Sequence, residues 1–224
     1  AATGKPVVVV LFNGRPLALP AVFAKASAVL EAWYPGIQAG NGVADVLFGD
    51  VDPSGRLTTT FPCSIGQVPM YYNHANTGRP GFGHWKGNYV DGPSVPFLPF
   101  GFGLTYTTFE YGSTHLDSGV LKPGGTLTAS AQVKNTGTRA GTEVAQLYIR
   151  ALASSFGARP VRELKGFQKI LLQPGETRDV TFALSPEELG FYDADGHWIV
   201  QPGEYQVWIC ADSASGQPAA FDLQ

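Results

Sequence analysis

The chain has no run of about eighteen apolar residues, so the sequence holds no candidate for a membrane-spanning helix. It has no basic cluster and a net charge of −3, which argues against nucleic acid as a partner. Cysteine is scarce. Cys63 and Cys210 are the two in 224 residues, and their separation fits neither a C-x-x-C redox motif nor a zinc site. Buried free thiols are expected in preference to a disulfide. His74, His84, His115 and His197 lack partners at metal-ligand spacing such as H-E-x-x-H. Ser54 and Ser64 stand outside any G-x-S-x-G nucleophile setting. No G-x-x-x-x-G-K-[ST] phosphate loop occurs, and Gly36, Gly40 and Gly42 have the wrong spacing for a dinucleotide loop. No metal and no cofactor is expected.

The first ten residues also lack the basic start, longer apolar run and small-residue cleavage site of a signal peptide. A buried strand begins almost at once, at Val7. Two readings stay open from this pattern: the continuation of a larger protein, or a protein with a short leader. Hydrophobic residues make up 44% and charged residues 15% of the chain, which is the make-up of a globular protein.

What is present divides into two styles near residues 101–106. Residues 7–12 form a continuous apolar run, the pattern of a parallel strand covered on both faces. Residues 20–28 suit a short helix, 28–34 a second buried strand, 38–48 a helix stopped by Gly49, and 57–61 a third strand. Residues 61–105 are rich in Gly, Pro, Asn and aromatics and have little periodicity. Their aromatics favour an ordered loop over a flexible linker. Beyond Tyr106 the period becomes two: Leu127, Ala129, Ala131 and Val133 alternate with Thr128, Ser130 and Gln132. Further strand candidates lie at 144–149, 180–184 and 205–210, separated by turns such as Pro123-Gly124-Gly125, Asn135-Thr136-Gly137, Pro174-Gly175 and Pro202-Gly203. The expected fold is α/β followed by all-β. A partial α/β layer of about three strands spans residues 1–105 including the long loop, and a fibronectin-type β-sandwich of about seven strands spans 106–224.

Glycoside chemistry requires two carboxyl groups facing each other across a bond. The first 105 residues offer Glu31, Asp45, Asp50, Asp52 and Asp91. Glu31 falls in an apolar strand pattern, and Asp50 and Asp52 sit beside Pro53-Ser54-Gly55, where Asp commonly bonds its own turn. No self-contained active site emerges.

The same residues form an ordered set of blocks. Lys5-Pro-Val-Val-Val-Val-Leu-Phe-Asn-Gly-Arg-Pro-Leu17 precedes Ala32-Trp-Tyr-Pro-Gly36 and Val43-Ala-Asp-Val-Leu-Phe-Gly-Asp50. Then follow Pro53-Ser-Gly-Arg-Leu57, Thr60-Phe-Pro62, Gly66-Gln-Val-Pro69, Tyr72-Asn73, Asn76-Thr-Gly-Arg-Pro80 and Pro99-Phe-Gly-Phe-Gly-Leu-Thr-Tyr-Thr107. Val133-Lys-Asn-Thr-Gly137, Glu163-Leu-Lys-Gly-Phe167 and Pro174-Gly-Glu176 complete the series. Over nearly its whole length the chain resembles the C-terminal part of glycoside hydrolase family 3, most like its bacterial periplasmic β-glucosidases.

That resemblance implies a retaining glycosidase of three parts: a barrel, an α/β sandwich and a fibronectin type III-like domain. Its nucleophile is an Asp in a Ser-Asp-Trp setting on the barrel. Its acid/base is a Glu upstream of the strand matching residues 7–12. Neither motif occurs here, so no catalytic residue is assigned. The resemblance further implies an N-terminal barrel-containing portion as partner, a β-glucoside or oligosaccharide as substrate, and a periplasmic or secreted location. A homodimer is compatible with it. Tyr71, Asn73, Arg79 and Trp85 are the candidate substrate-binding residues, offering aromatic faces, an amide and a guanidinium to a sugar. Asn73 and Arg79 serve equally well in fixing the loop's own fold. The competing reading is a free-standing carbohydrate-binding or structural module.

Overall fold

The computed structural model describes residues 2–76, 89 and 92–224. The β-branched run at the start gives β1 (Val8–Leu11), which pairs in parallel with β2 (Ala28–Glu31) from Val8 opposite Ala28 to Leu11 opposite Glu31. The connection carries the four-residue α1 (Pro20–Phe23) with proline in its first turn. Helix α2 (Ala39–Phe48) ends as its sequence predicts, on Gly49 at φ 82° in the left-handed region. The expected third strand, 57–61, does not form. Leu57 N–H donates to Phe102, Gly101 N–H to Leu57, and Phe61 N–H to Leu98. This stays an irregular ribbon because Pro62, Pro96 and Pro99 withhold the donors that a ladder needs.

No described residue before Thr60 is buried. The two strands and two helices leave Val8, Phe12, Leu47 and Phe48 exposed. Residues patterned for burial on both faces thus lie on an uncovered layer, in keeping with the expectation of a partial α/β unit.

The second half is a sandwich with its own core. Its strands are β3 (Phe109–Tyr111), β4 (His115–Leu116), β5 (Val120–Leu121), β6 (Leu127–Asn135), β7 (Gly141–Ala151), β8 (Glu163–Leu172) and β9 (Thr177–Leu184). A small hairpin follows, β10 (Phe191–Tyr192) and β11 (Trp198–Ile199), then β12 (Gly203–Cys210) and β13 (Ala219–Leu223). One sheet has the order β5-β13-β12-β7-β8; in the other, β6 pairs with β3 and β4 along one edge and with β9 along the other. Leu127, Ala129, Ala131 and Val133 all point into the space between the sheets, as their alternation requires. Strand β8 escaped the sequence reading because its outer face carries the apolar Phe167 and Leu171, which hide the alternation, and because a bulge at Lys165, opposite Leu147 and Tyr148, shifts its register.

The two parts are joined by buried charge. Arg56 Nη2 lies 2.6 Å from Glu143 Oε2, with the two side chains only 7% and 4% exposed. Tyr111 donates its hydroxyl to the other Glu143 oxygen at 2.9 Å, and burial with the adjoining carboxylate pushes the Tyr111 hydroxyl far above its ordinary pKa. Asp52 does not bond its own turn, as its sequence context suggested. Its Oδ1 accepts Tyr106 N–H at 2.7 Å and its Oδ2 accepts Thr142 N–H at 3.1 Å. The Tyr106 hydroxyl donates to the Val46 carbonyl. Gly103 fits because a Cβ there would lie 2.6 Å from the Gly55 carbonyl oxygen.

Removing one member of a buried pair leaves the other charge stranded, at a cost of about 3–5 kcal/mol. Glu143→Gln should therefore lower the unfolding free energy of the full chain by that order, read as a lower urea midpoint. Arg56→Leu combined with Glu143→Leu should lose much less. Equal losses for single and double variants in a urea titration would show that the pair is not what holds the joint.

Candidate functional site

The two legs of the long loop are tied by one side chain. Gln67 is buried; its Oε1 accepts Cys63 N–H at 2.5 Å and its Nε2 donates to the Pro93 carbonyl at 2.6 Å. The leg that follows lies on the outer face of the five-stranded sheet. The Tyr72 ring stacks on Phe100 at 4.2 Å and meets Tyr148 edge-on at 6.0 Å, and its hydroxyl accepts Leu164 N–H at 3.2 Å. Ala75 bridges Pro160, Val161 N–H donates to His74, and Asn76 N–H donates to Arg159. Where it is described, this loop is docked structure rather than a linker.

With Tyr72 turned inward, its neighbours Tyr71 and Asn73 face solvent, Tyr71 at 65% exposure. Arg79 and Trp85, the other two candidates, lie outside the described residues. The structure thus presents Tyr71 and Asn73 on one anchored turn, closed by His74 N–H on the Tyr71 carbonyl.

The docking face is strongly desolvated. Tyr148 donates to Gln146 Oε1 at 2.6 Å, and Gln146 donates to the Gly101 carbonyl at 3.1 Å and also to that of Ala211. Gly101, at φ 84°, has no room for a Cβ, which would lie 2.1 Å from Gln146 Oε1. Arg162 lies over the Trp208 ring at 4.3 Å. Burial raises the Tyr148 hydroxyl well above its ordinary pKa and pushes the Cys210 thiol up to about 11. Cys210 is a buried free thiol and Cys63 a half-buried one.

Two of the front carboxylates, Glu31 and Asp52, are occupied with structure. Glu31 Oε1 accepts Trp33 N–H at 3.0 Å, and its Oε2 accepts from Asn13 Nδ2 at 3.3 Å. This ends β2 early, with Trp33 at φ 50° in the left-handed region. Asp52 is consumed by the joint, Asp45 and Asp50 are exposed on and just beyond α2, and Asp91 lies outside the described residues. A groove of about 270 Å³ at the joint is lined by Leu57, Phe100, Val144, Leu164 and Phe167 with Arg56 and Lys169, and no carboxylate is among its described lining residues. Sequence spacing missed one cluster: Asp193, Asp195 and His197 bring their ligand-type atoms within 4.8 Å of one another. Asp193 is there a turn former, its Oδ1 accepting Asp195 N–H at 3.0 Å and His197 N–H at 2.8 Å.

Residues 1–106 match the glycosyl hydrolase family 3 C-terminal domain, and residues 143–213 match a fibronectin type III-like domain. The chain is 46% identical to a periplasmic β-glucosidase of Salmonella typhimurium, over 99% of this chain and 29% of that protein. It is also 46% identical to a β-xylosidase of Formosa agariphila, over 94% of this chain and 29% of that protein. A crystal structure of a β-glucosidase from Listeria innocua superposes with a TM-score of 0.92 at 39% identity, over 99% of this chain and 31% of that one. The chain spans about three tenths of the length of these relatives.

The raised pKa values have a consequence for stability. A thiol or phenol whose folded pKa lies above its unfolded value binds more protons folded than unfolded over that interval, so stability is lost as pH rises through it. For Cys210 the interval runs from 9.0 to about 11, and for Tyr111 and Tyr148 it opens at 10.0. The melting temperature should fall from about pH 9 upward, and Cys210→Ala should delay the onset towards pH 10. A flat profile from pH 8 to 10.5 would contradict this account.

Proposed function

We propose, because the chain belongs to glycoside hydrolase family 3 and corresponds to its C-terminal part, that it forms the C-terminal portion of a retaining β-glucosidase that releases terminal β-D-glucosyl residues from glucosides or oligosaccharides. The observation that carries this is the pairing of a match over nearly all of this chain with a front layer in which no described residue before Thr60 is buried. At about 25 cal/mol per Å², an apolar face of roughly 1,000 Å² left wet costs on the order of 25 kcal/mol. That exceeds the net stability of a typical domain, about 5–15 kcal/mol. The N-terminal barrel-containing portion of the same enzyme covers this face and brings the nucleophile and the acid/base, which in a retaining enzyme stand about 5–5.5 Å apart.

The chain's own part is positional. Residues 1–105 complete the α/β unit and residues 106–224 support it. Tyr71, Asn73, Arg79 and Trp85 form a wall of the sugar pocket, where rings face sugar C–H groups and polar side chains meet hydroxyls. The location is periplasmic or secreted, a reading supported by the name of the Salmonella relative. A second reading of specificity, a β-xyloside, draws on the Formosa relative at the same 46% identity.

The isolated chain should be inactive on aryl β-glucosides and aryl β-xylosides, and joining it to its N-terminal portion should give activity. The better of the two substrates settles the sugar. In the joined enzyme, Asn73→Ala should lower kcat/KM roughly fivefold, the worth of about 1 kcal/mol of hydrogen bonding. Turnover by the isolated chain would overturn the reading.

A further inference from the structure

The hairpin of β10 and β11 carries two aromatic side chains that the fold does not need to bury. The Trp198 indole rests on backbone: a Cβ on Gly190 would lie 2.5 Å from its Cε2 and Nε1 and 2.7 Å from its Cζ2. The ring is therefore pressed against the chain on the Gly190 side, while the residue as a whole remains 50% exposed. Tyr192, 69% exposed, meets this ring edge-on, with centroids 4.9 Å apart at 69°. The two rings form an open corner.

The corner is rigid. Asp193 fixes the turn through Asp195 N–H and His197 N–H, and Phe191 lies over the Arg159 guanidinium at 3.6 Å. A surface held in place before binding loses little freedom on binding. Its rim is polar and acidic: Asp195 and His197 are exposed, and Glu187 and Glu188 begin the preceding turn. Anions are disfavoured at such a rim. Besides Tyr192 and Trp198, the hairpin and its exit expose Val200 as a large apolar residue. Phe156, 58% exposed, packs on Phe191 from outside the hairpin at 6.3 Å, so a protein contact is the competing occupant that the test must separate.

We propose that the Trp198–Tyr192 corner is a binding site for a neutral glycan chain. The exposed aromatic surface of Trp198 and Tyr192 packs on the apolar C–H face of a pyranose, and Asp195 and His197 hydrogen-bond its hydroxyls. The site stands independently of the catalytic reading. It adjoins the loop of Tyr71 and Asn73, because Arg159 both underlies Phe191 and accepts Asn76 N–H.

The test uses the full 224-residue chain, titrated by calorimetry with cellopentaose and with laminaripentaose. Saturable binding is expected to at least one of them. Trp198→Ala should weaken it at least about tenfold, or 1.4 kcal/mol, Trp198→Phe should restore part of the loss, and Tyr192→Ala should weaken it several-fold. Tyr71→Ala should leave it unchanged. Where Trp198→Ala melts early, Tyr192→Ala decides. No saturation with either sugar up to about 10 mM, or binding that follows Tyr71 and ignores Trp198, overturns the proposal. So does a Trp198→Ala variant that keeps glycan binding but no longer captures the N-terminal portion of the enzyme, which would make the corner a protein contact.

Discussion

The two halves of this chain depend on a charge that neither could hold alone. Glu143 sits near the start of β7, buried against the loop that leads out of the α/β layer, and Arg56 reaches it from that loop. A buried carboxylate without a partner would shift its protonation or open the structure. The chain instead gives it one guanidinium and one phenol, so both oxygens are engaged. Once Arg56 is committed there, Asp52 four residues earlier falls opposite the backbone at Tyr106 and Thr142, and the Gly55 carbonyl leaves space opposite it only for a glycine at 103. The positions of the α/β exit, of the strand leading into the sandwich and of the long loop's return leg all follow from that pair.

This changes the meaning of the sequence blocks that make the family resemblance specific. Pro53-Ser-Gly-Arg-Leu57 supplies Arg56, and Pro99-Phe-Gly-Phe-Gly-Leu-Thr-Tyr-Thr107 supplies Phe100, Gly101, Gly103 and Tyr106. Glu163-Leu-Lys-Gly-Phe167 supplies Gly166, where a Cβ would lie 3.1 Å from the Phe182 ring. These residues are parts of a joint and of close packing rather than of reaction chemistry. Gly66-Gln-Val-Pro69 is similar: Gln67 earns its place by closing the two legs of a loop.

Period-two and helical patterns are local, so β6, β9, β12 and the Gly49 stop of α2 were legible without coordinates. Features made by pairing over distance were not. The apolar outer face of β8 is explained only by the loop and groove it meets, and the failure of 57–61 to form a strand arises from prolines in the return leg. Asp52 reads locally as a turn former and acts instead across 54 and 90 residues. Of the candidate site, the order of the loop and the exposure of Tyr71 and Asn73 could be argued from composition. The inward Tyr72 that sets them could not, since its partners Phe100, Tyr148 and Leu164 are scattered through the chain.

The burial pattern then orders the stabilities. The main core runs from Leu121 to Leu223 and draws on both sheets, whereas β1, β2, α1 and α2 contribute no buried side chain. Segments with few buried apolar contacts open at lower free energy than packed cores. In this chain the sandwich is the rigid body, and it holds the α/β exit through Glu143 and the loop through Tyr148 and Leu164. A surface loop of glycine, proline and aromatics has no ladder of its own to fix it. Docking it on the outer face of a five-stranded sheet supplies the missing constraint, so the sheet that packs inward for stability also acts outward as the template for the loop's conformation. The position of Tyr71 is consequently determined by strands more than seventy residues away in sequence.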